Sequence, residues 1–129
     1  MGVESTMPRI VHFEIYADDV DRAHKFYADL LGWEITKWDG PPQMDYRLVN
    51  SGDGPGIDGG ITRRPHEGVA GVNYVHVDAI DEYLPKVQAG GGRILQPKIP
   101  IPGIGYVAIC QDTEGNPIGL FQSDETTAY

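Results

Sequence analysis

Ile10-Val11-His12-Phe13-Glu14-Ile15-Tyr16-Ala17-Asp18-Asp19-Val20-Asp21-Arg22-Ala23-His24-Lys25-Phe26-Tyr27-Ala28-Asp29-Leu30-Leu31-Gly32-Trp33 reads as one strand feeding one helix, and the rest of the chain repeats or completes that unit. From Ile10 to Tyr16, Val11, Phe13 and Ile15 alternate with His12, Glu14 and Tyr16, the period of a strand with one apolar and one polar face. Asp18 and Asp19 then offer N-cap oxygens, Asp21 puts negative charge in the first helical turn, and Gly32 suits a left-handed stop. Ala23, Phe26, Tyr27, Leu30 and Leu31 form the apolar stripe that this helix is expected to lay on the sheet. The polar set His12, Glu14 and Tyr16 is left for the opposite face.

Working outward, Met1 to Pro8 reads as a polar, frayed end. Trp33 to Trp38 alternates as a second strand and is broken by Asp39-Gly40-Pro41-Pro42. Tyr46 to Asn50 and Gly59 to Arg63 supply two more strands, separated by a glycine-rich turn. Residues 64–71 read as a linker. Beyond it the pattern returns with an offset of 60: Val75-His76-Val77-Asp78-Ala79-Ile80-Asp81 lies over Ile15-Tyr16-Ala17-Asp18-Asp19-Val20-Asp21 without a gap. The same offset carries Gly32 to Gly92, Tyr46 to Tyr106 and Gly59 to Gly119. A second helix with Ile80, Tyr83, Leu84 and Val87 as its stripe is expected from about Asp81, with Pro85 near its first turn. Ile94-Leu95, Gly105 to Gln111 and Pro117 to Gln122 read as the closing strands, and Ser123 to Tyr129 as a polar tail. Pro97 to Tyr106 is too apolar for an ordinary exposed loop, so it reads as a cover over a cavity or a dimer surface, with Tyr106 directed inward.

Composition narrows the function classes. The 129 residues make one domain of two small modules, 9–63 and 72–123 joined by linker 64–71. A formal charge of −9 argues against nucleic acid and anionic membrane surfaces as partners, since both require cationic patches. No apolar run approaches a membrane span and the start lacks a signal-peptide order, so a cytoplasmic protein is expected. The single cysteine, Cys110, lies in an apolar run and reads as a core residue rather than a nucleophile.

Two stretches carry a family resemblance: Val11-His12-Phe13-Glu14-Ile15 through Phe26-Tyr27 to Leu31-Gly32-Trp33, and Gly91-Gly92 through Ile101-Pro102-Gly103 to Asp112-Thr113-Glu114-Gly115-Asn116-Pro117-Ile118-Gly119-Leu120-Phe121-Gln122. In these the chain resembles the vicinal oxygen chelate superfamily of glyoxalase I, bleomycin-resistance proteins and extradiol dioxygenases, and within it the predicted lactoylglutathione-lyase relatives. The resemblance implies an α+β fold of two βαβββ modules whose curled mixed sheets surround a cavity, commonly in a homodimer. It also implies, for the metalloenzyme members, four His or Glu ligands from the first and fourth strands of each module. Carried over by position, only His12 matches; the other positions hold Gly59 or Gly60, Val72 and Gly119. One imidazole does not hold a catalytic metal, so neither a metal nor another cofactor is expected at the inherited site.

Two readings of the chemistry stand side by side. In the first, the protein binds a small organic metabolite or drug in a cavity lined by His12, Glu14, Tyr16, Tyr74, His76 and Tyr106, with apolar walls and a few converging polar groups. His12 as base with Glu14 orienting it is the catalytic form of this reading; His12 as a lining residue bonded to Glu14 or a carbonyl is the passive one. In the second, His12, Glu14 and His76 hold a divalent ion at a shifted site and the protein is a glyoxalase-like lyase, isomerase or dioxygenase. His24, on the helix's polar flank, and His66, in a loop, are poorer candidates. Glycines 59, 60 and 119 either permit sheet curvature or leave room for a ligand.

Overall fold

The computed structural model describes residues 7–127; the expected fray over Met1–Thr6 and the last two residues of the tail lie outside the described residues. In chain order the first half contains β1 (Arg9–Ala17), α1 (Val20–Leu31), β2 (Glu34–Lys37), a 3-10 turn (Pro42–Met44), β3 (Arg47–Asn50) and β4 (Asp58–Arg63). The second contains β5 (Gly71–His76), α2 (Ile80–Ala89), β6 (Arg93–Ile101), β7 (Gly105–Gln111) and β8 (Pro117–Ser123). The protein is therefore α+β, with the βαβββ order repeated. The chain forms two compact units, one of residues 12–73 and one of residues 74–127 together with residues 7–11.

In the first unit the strands lie in the order β2-β3-β4-β1, with β1 parallel to β4 and the other neighbours antiparallel. The helix between β1 and β2 is set at both ends by local chemistry. Asp19 is the N-cap, its carboxylate accepting from the Arg22 N–H at 3.0 Å. Gly32 takes a left-handed φ of 73° and its N–H donates to the Ala28 carbonyl, as the sequence pattern predicts. The buried cluster is Ala17, Val20, Val49 and Ile61, with Phe13, Ile15, Ala23, Tyr27, Trp33 and Ile35 packed against it.

One part of the expected helix stripe is wrong. Phe26, Leu30 and Leu31 are 57%, 62% and 50% exposed, while Val20 and Tyr27 carry the packing. The reason lies in β3, where Arg47 occupies a core-facing position and takes His24 as an acceptor. That contact turns the 20-24-27 edge of α1 toward the sheet and leaves the 26-30 edge outside.

The second unit has the order β5-β8-β7-β6, with β5 parallel to β8 and the later pairs antiparallel. Val77, Ile80, Ala108, Cys110 and Leu120 form its buried cluster. Cys110 has no exposed surface, and burial pushes its thiol up, as suits a core residue rather than a nucleophile. Pro85 stands well inside α2 rather than near its first turn; it forgoes one backbone bond and the helix continues to Ala89.

The segment expected to cover a cavity is different in kind. Pro97 to Ile101 is the second half of the edge strand β6, and a turn over residues 102–104 leads into β7. An edge strand tolerates Pro97 and Pro100 because one row of its backbone donors needs no partner, and the pairing shifts register between Ile94 and Gln96 and between Gln96 and Ile99.

The repeat offset also changes along the chain. It is 60 through the first strand and helix, where Ala17 and Val20 match Val77 and Ile80 in burial. It becomes 61 in the third strand and 59 in the fourth, because Leu48 faces Gly60 as Ile109 faces Gly119. The two-residue drop is the difference between the β3–β4 connection, residues 51–57, and the shorter β7–β8 connection, residues 112–116. Arg47 thus corresponds to Ala108, and Tyr46 to Val107 rather than to Tyr106.

Among the described residues no helix is long and apolar enough to cross a membrane.

Candidate functional site

Strand alternation in the first unit sends Phe13, Ile15 and Ala17 to the helix side and His12, Glu14 and Tyr16 to the other. Across β4 the latter stand beside Asp58, Gly60 and Thr62, and Leu48 of β3 pairs with Gly60. Tyr46, two residues before Leu48, comes out on this same face. Its hydroxyl lies 2.7 Å from the Nε2 of His12, and the two rings are close to parallel at 15°. Trp38 approaches the Tyr46 ring edge-on at 5.9 Å.

Gly60 is what permits this reach. A Cβ there would fall 2.2 Å from the Tyr46 hydroxyl, so the phenol crosses β4 only because that strand has no side chain at the crossing point. In the second unit Gly119 pairs with Tyr74, and a Cβ there would fall 2.3 Å from the Tyr74 ring. At Gly59 the obstacle would be the Phe13 carbonyl oxygen, 2.4 Å away. Curvature and ligand room were the two sequence readings of these glycines; the structure gives a third, accommodation of the chain's own aromatic rings and backbone.

Burial lowers the His12 pKa below its ordinary value, and the Asp58 carboxylate opposes that only in part. The imidazole is therefore neutral at pH 7, one nitrogen carrying hydrogen and the other a lone pair. Against it the Tyr46 hydroxyl can donate or accept. Beside this pair, the Tyr16 hydroxyl donates to Glu14 Oε1 at 3.4 Å. Burial first, then the Glu14 charge and that bond, push the Tyr16 phenol well above its ordinary range, so it remains a donor. The residue that sequence reasoning missed is Tyr46. The pairing of His12 was sought in Glu14, two positions away, whereas Tyr46 is separated from it by 34 positions. The usable signal was its place directly ahead of a third strand, β3, whose alternation it continues onto the face of His12.

The remaining candidates fall in several places. His76 lies against the Phe121 ring at 5.9 Å, on the same side of its sheet as Tyr74. Tyr106, expected to point inward, lies on the helix side of its sheet, packed against the buried cluster of α2 with Lys98 Nζ 4.9 Å from its ring. The inward expectation came from reading Pro97 to Tyr106 as a cavity cover, whereas Tyr106 lies in β7 on the same face as the buried Ala108 and Cys110. His24 bonds Arg47, and His66 lines a shallow surface depression with Asp18, Arg64 and Glu67.

The donor set does not fit the metal that the family resemblance implies. Among the described residues no three His, Cys, Asp or Glu side chains are grouped so as to hold an ion. A carboxylate or imidazole at Gly60 or Gly119 would collide with the Tyr46 or Tyr74 ring.

Comparison with known proteins agrees with this architecture. The family described as "Bleomycin resistance protein-like N-terminal" matches residues 9–52. A lactoylglutathione lyase of Haemophilus influenzae is 27% identical, the alignment covering 92% of this chain and 95% of that one. A glyoxalase/bleomycin resistance protein/dioxygenase superfamily member from Vibrio splendidus 12B01 superimposes with a TM-score of 0.64 at 19% identity, over 92% of this chain and all of that one. Methylmalonyl-CoA epimerase from Mycobacterium tuberculosis does so with a TM-score of 0.66 at 15% identity, over 89% and 87% of the two chains. At such identities the two structures speak for the fold alone.

Proposed function

We propose, starting from the fact that the chain belongs to the vicinal oxygen chelate superfamily, that it binds a small organic metabolite or drug and does so without a metal at the family's inherited position. The site in the first module is the face that carries His12, Glu14, Tyr16, Tyr46 and Trp38. Tyr74 and His76 carry the same proposal on the corresponding face of the second module. The observation that supports this most is the Tyr46 ring lying over Gly60, which puts a hydrogen-bonding phenol where a metalloenzyme of the family would need a ligand side chain.

The chemistry of such a face is recognition by hydrogen bonds and aromatic contact. Neutral His12 and Tyr46 can present a donor or an acceptor to the same ligand, and Tyr16 holds Glu14 in place beside them. In the catalytic form of the reading, His12 takes a proton from a bound carbon or oxygen acid and Tyr46 steadies the imidazole from Nε2. We carry the homodimer suggested by the resemblance as part of the proposal, to be read by light scattering.

A second reading, a metal-dependent lyase or isomerase, is favoured by the lactoylglutathione lyase similarity along nearly the whole chain. Elemental analysis of protein purified without chelator or affinity metal, paired with a metabolite-library thermal-shift screen, separates the two. The first reading expects ligand-dependent stabilisation that survives chelation and is weakened in His12→Ala. About one transition metal per chain, lost in His12→Ala, would overturn it in favour of the second.

A further inference from the structure

Arg47 is the one buried cation of the first unit's core. Its position is core-facing, opposite the fully buried Ile61, and it is 8% exposed. The register-equivalent residue of the second unit is Ala108, with no exposure at all. A buried guanidinium stabilises a fold no better than a well-packed apolar residue, so an arginine at this point needs another explanation.

Its contacts supply one. Nε donates to Asp45 Oδ1 at 2.7 Å and Nη2 to Asp45 Oδ2 at 3.2 Å, a two-pronged grip on the carboxylate. Nη2 also donates to Asp21 at 2.7 Å and Nη1 to His24 Nδ1 at 2.8 Å, both on α1. Asp45 and Arg47 flank Tyr46, and Asp45 is held at a φ of 40°, a left-handed conformation that a non-glycine residue seldom adopts. Clamping both neighbours of Tyr46 on the helix side leaves its ring only the opposite face, where its hydroxyl meets His12. The second unit supports this by contrast: it lacks the arginine, and at the position of Tyr46 it has Val107.

We propose that Arg47 is a positioning residue for the His12–Tyr46 pair, and that His24 makes its grip dissolve on acidification. A guanidinium can only donate, so the His24 nitrogen facing it must hold a lone pair. Protonating that nitrogen removes the acceptor and sets one cation against another. The other charged groups around the clamp are Asp21 of α1, whose Oδ1 accepts from Nη2, and Asp45, whose two oxygens accept from Nε and Nη2, while Lys37 of β2, 3.9 Å from Asp45, and Arg63 of β4 are cations acting on Asp45.

This deepens the site proposed above, and it is tested without any ligand, so either can fail alone. The measurement is the side-chain nitrogen spectrum of the full chain, following the His12 Nε2 signal and assigning the His24 ring signals separately, from pH 8 to pH 5. In the wild type the hydrogen-bonded His12 signal should be lost in step with His24 protonation. In His24→Gln, whose amide oxygen still accepts from Arg47 but takes no proton, the signal should persist until His12 itself titrates. Arg47→Met should lose it at every pH with the fold intact, and Arg47→Lys should restore it in part. A His24→Gln profile superimposable on the wild type would overturn the acid-labile grip, and an unchanged His12 signal in Arg47→Met would overturn the positioning role. Should Arg47→Met not fold, Arg47→Lys decides the positioning role, an undiminished His12 signal overturning it, and His24→Gln still decides the acid-labile grip.

Discussion

The two modules share strand order, helix placement and a buried cluster, yet differ where the third strand begins: Tyr46, just ahead of β3, and Arg47 in the first, Val107-Ala108 in the second. In the second module the helix face of that strand is ordinary packing, Ala108 and Cys110 under Ile80. In the first, the same face gives up an apolar position to a guanidinium and the opposite face gains a phenol bonded to a histidine. One backbone design thus serves as a plain core in one copy and as a support for polar chemistry in the other. The shared parts should respond alike to mutation and the divergent parts should not.

The largest effects belong to what is shared. Ile61→Ala and Leu120→Ala remove matched core side chains, one at 0% and the other at 6% exposure, and each should cost about 3 kcal/mol in urea unfolding. A cost near zero for either would break the equivalence.

Next is a position where the modules demand different residues. Gly59 faces Val49 as Ile118 faces Cys110. A side chain at 59 meets the Phe13 carbonyl, which cannot rotate away, so Gly59→Val should destabilise by about 2 kcal/mol through forced backbone movement. Ile118→Val should cost only about 1 kcal/mol. Equal losses in the two would mean that β1 gives way at Phe13.

Much of this was legible from sequence and some was not, for physical reasons. Alternation in β1, the Asp19 cap and the Gly32 stop are local signals, and each locates its element within a residue or two. Tyr46 as the partner of His12 depends on β3 and β4 lying in register, which no local pattern specifies. Tyr106 was expected inward because the apolar segment over residues 97–106 reads as a cover, and that apolarity instead belongs to an edge strand and to the core face of β7. Phe26 and Leu30 fit a helix stripe as well as His24 does not; the helix turned toward His24 because of a guanidinium on another strand.

A smaller effect tests the polar pair. Tyr46→Phe removes the bond to His12 and should cost about 1 kcal/mol. Because the His12 pKa is lower in the folded chain than its ordinary value of about 6.5, the unfolded chain takes up the proton first. The stabilising contribution of neutral His12 is therefore complete above that ordinary value and is lost as pH falls toward the folded one. Thermal unfolding of the wild type and His12→Gln between pH 8 and 5 should show the wild type losing stability faster below about 6.5. Parallel curves would place the pH sensitivity elsewhere.

The smallest effect concerns the helix starts. α1 is capped by the Asp19 side chain, whereas the N-cap of α2 is Ala79, whose side chain has no oxygen to offer; there the Ile80 N–H is met by Gln122 Oε1 from β8 at 2.9 Å. That long-range bond satisfies one donor of the first turn, the Glu82 N–H donates to the Ala79 carbonyl at 3.1 Å, and the Asp81 N–H is left for a local side-chain cap. Ala79→Ser should therefore add about 0.5–1 kcal/mol, while Asp19→Ala should remove a similar amount. Serine is the better choice than aspartate, since Asp78, Asp81 and Glu82 already crowd that end with negative charge. Because the new hydroxyl would serve a donor other than the one Gln122 holds, Ala79→Ser and Gln122→Ala should be additive in chemical denaturation. Marked non-additivity would show instead that the strand's glutamine already caps α2 as completely as Asp19 caps α1.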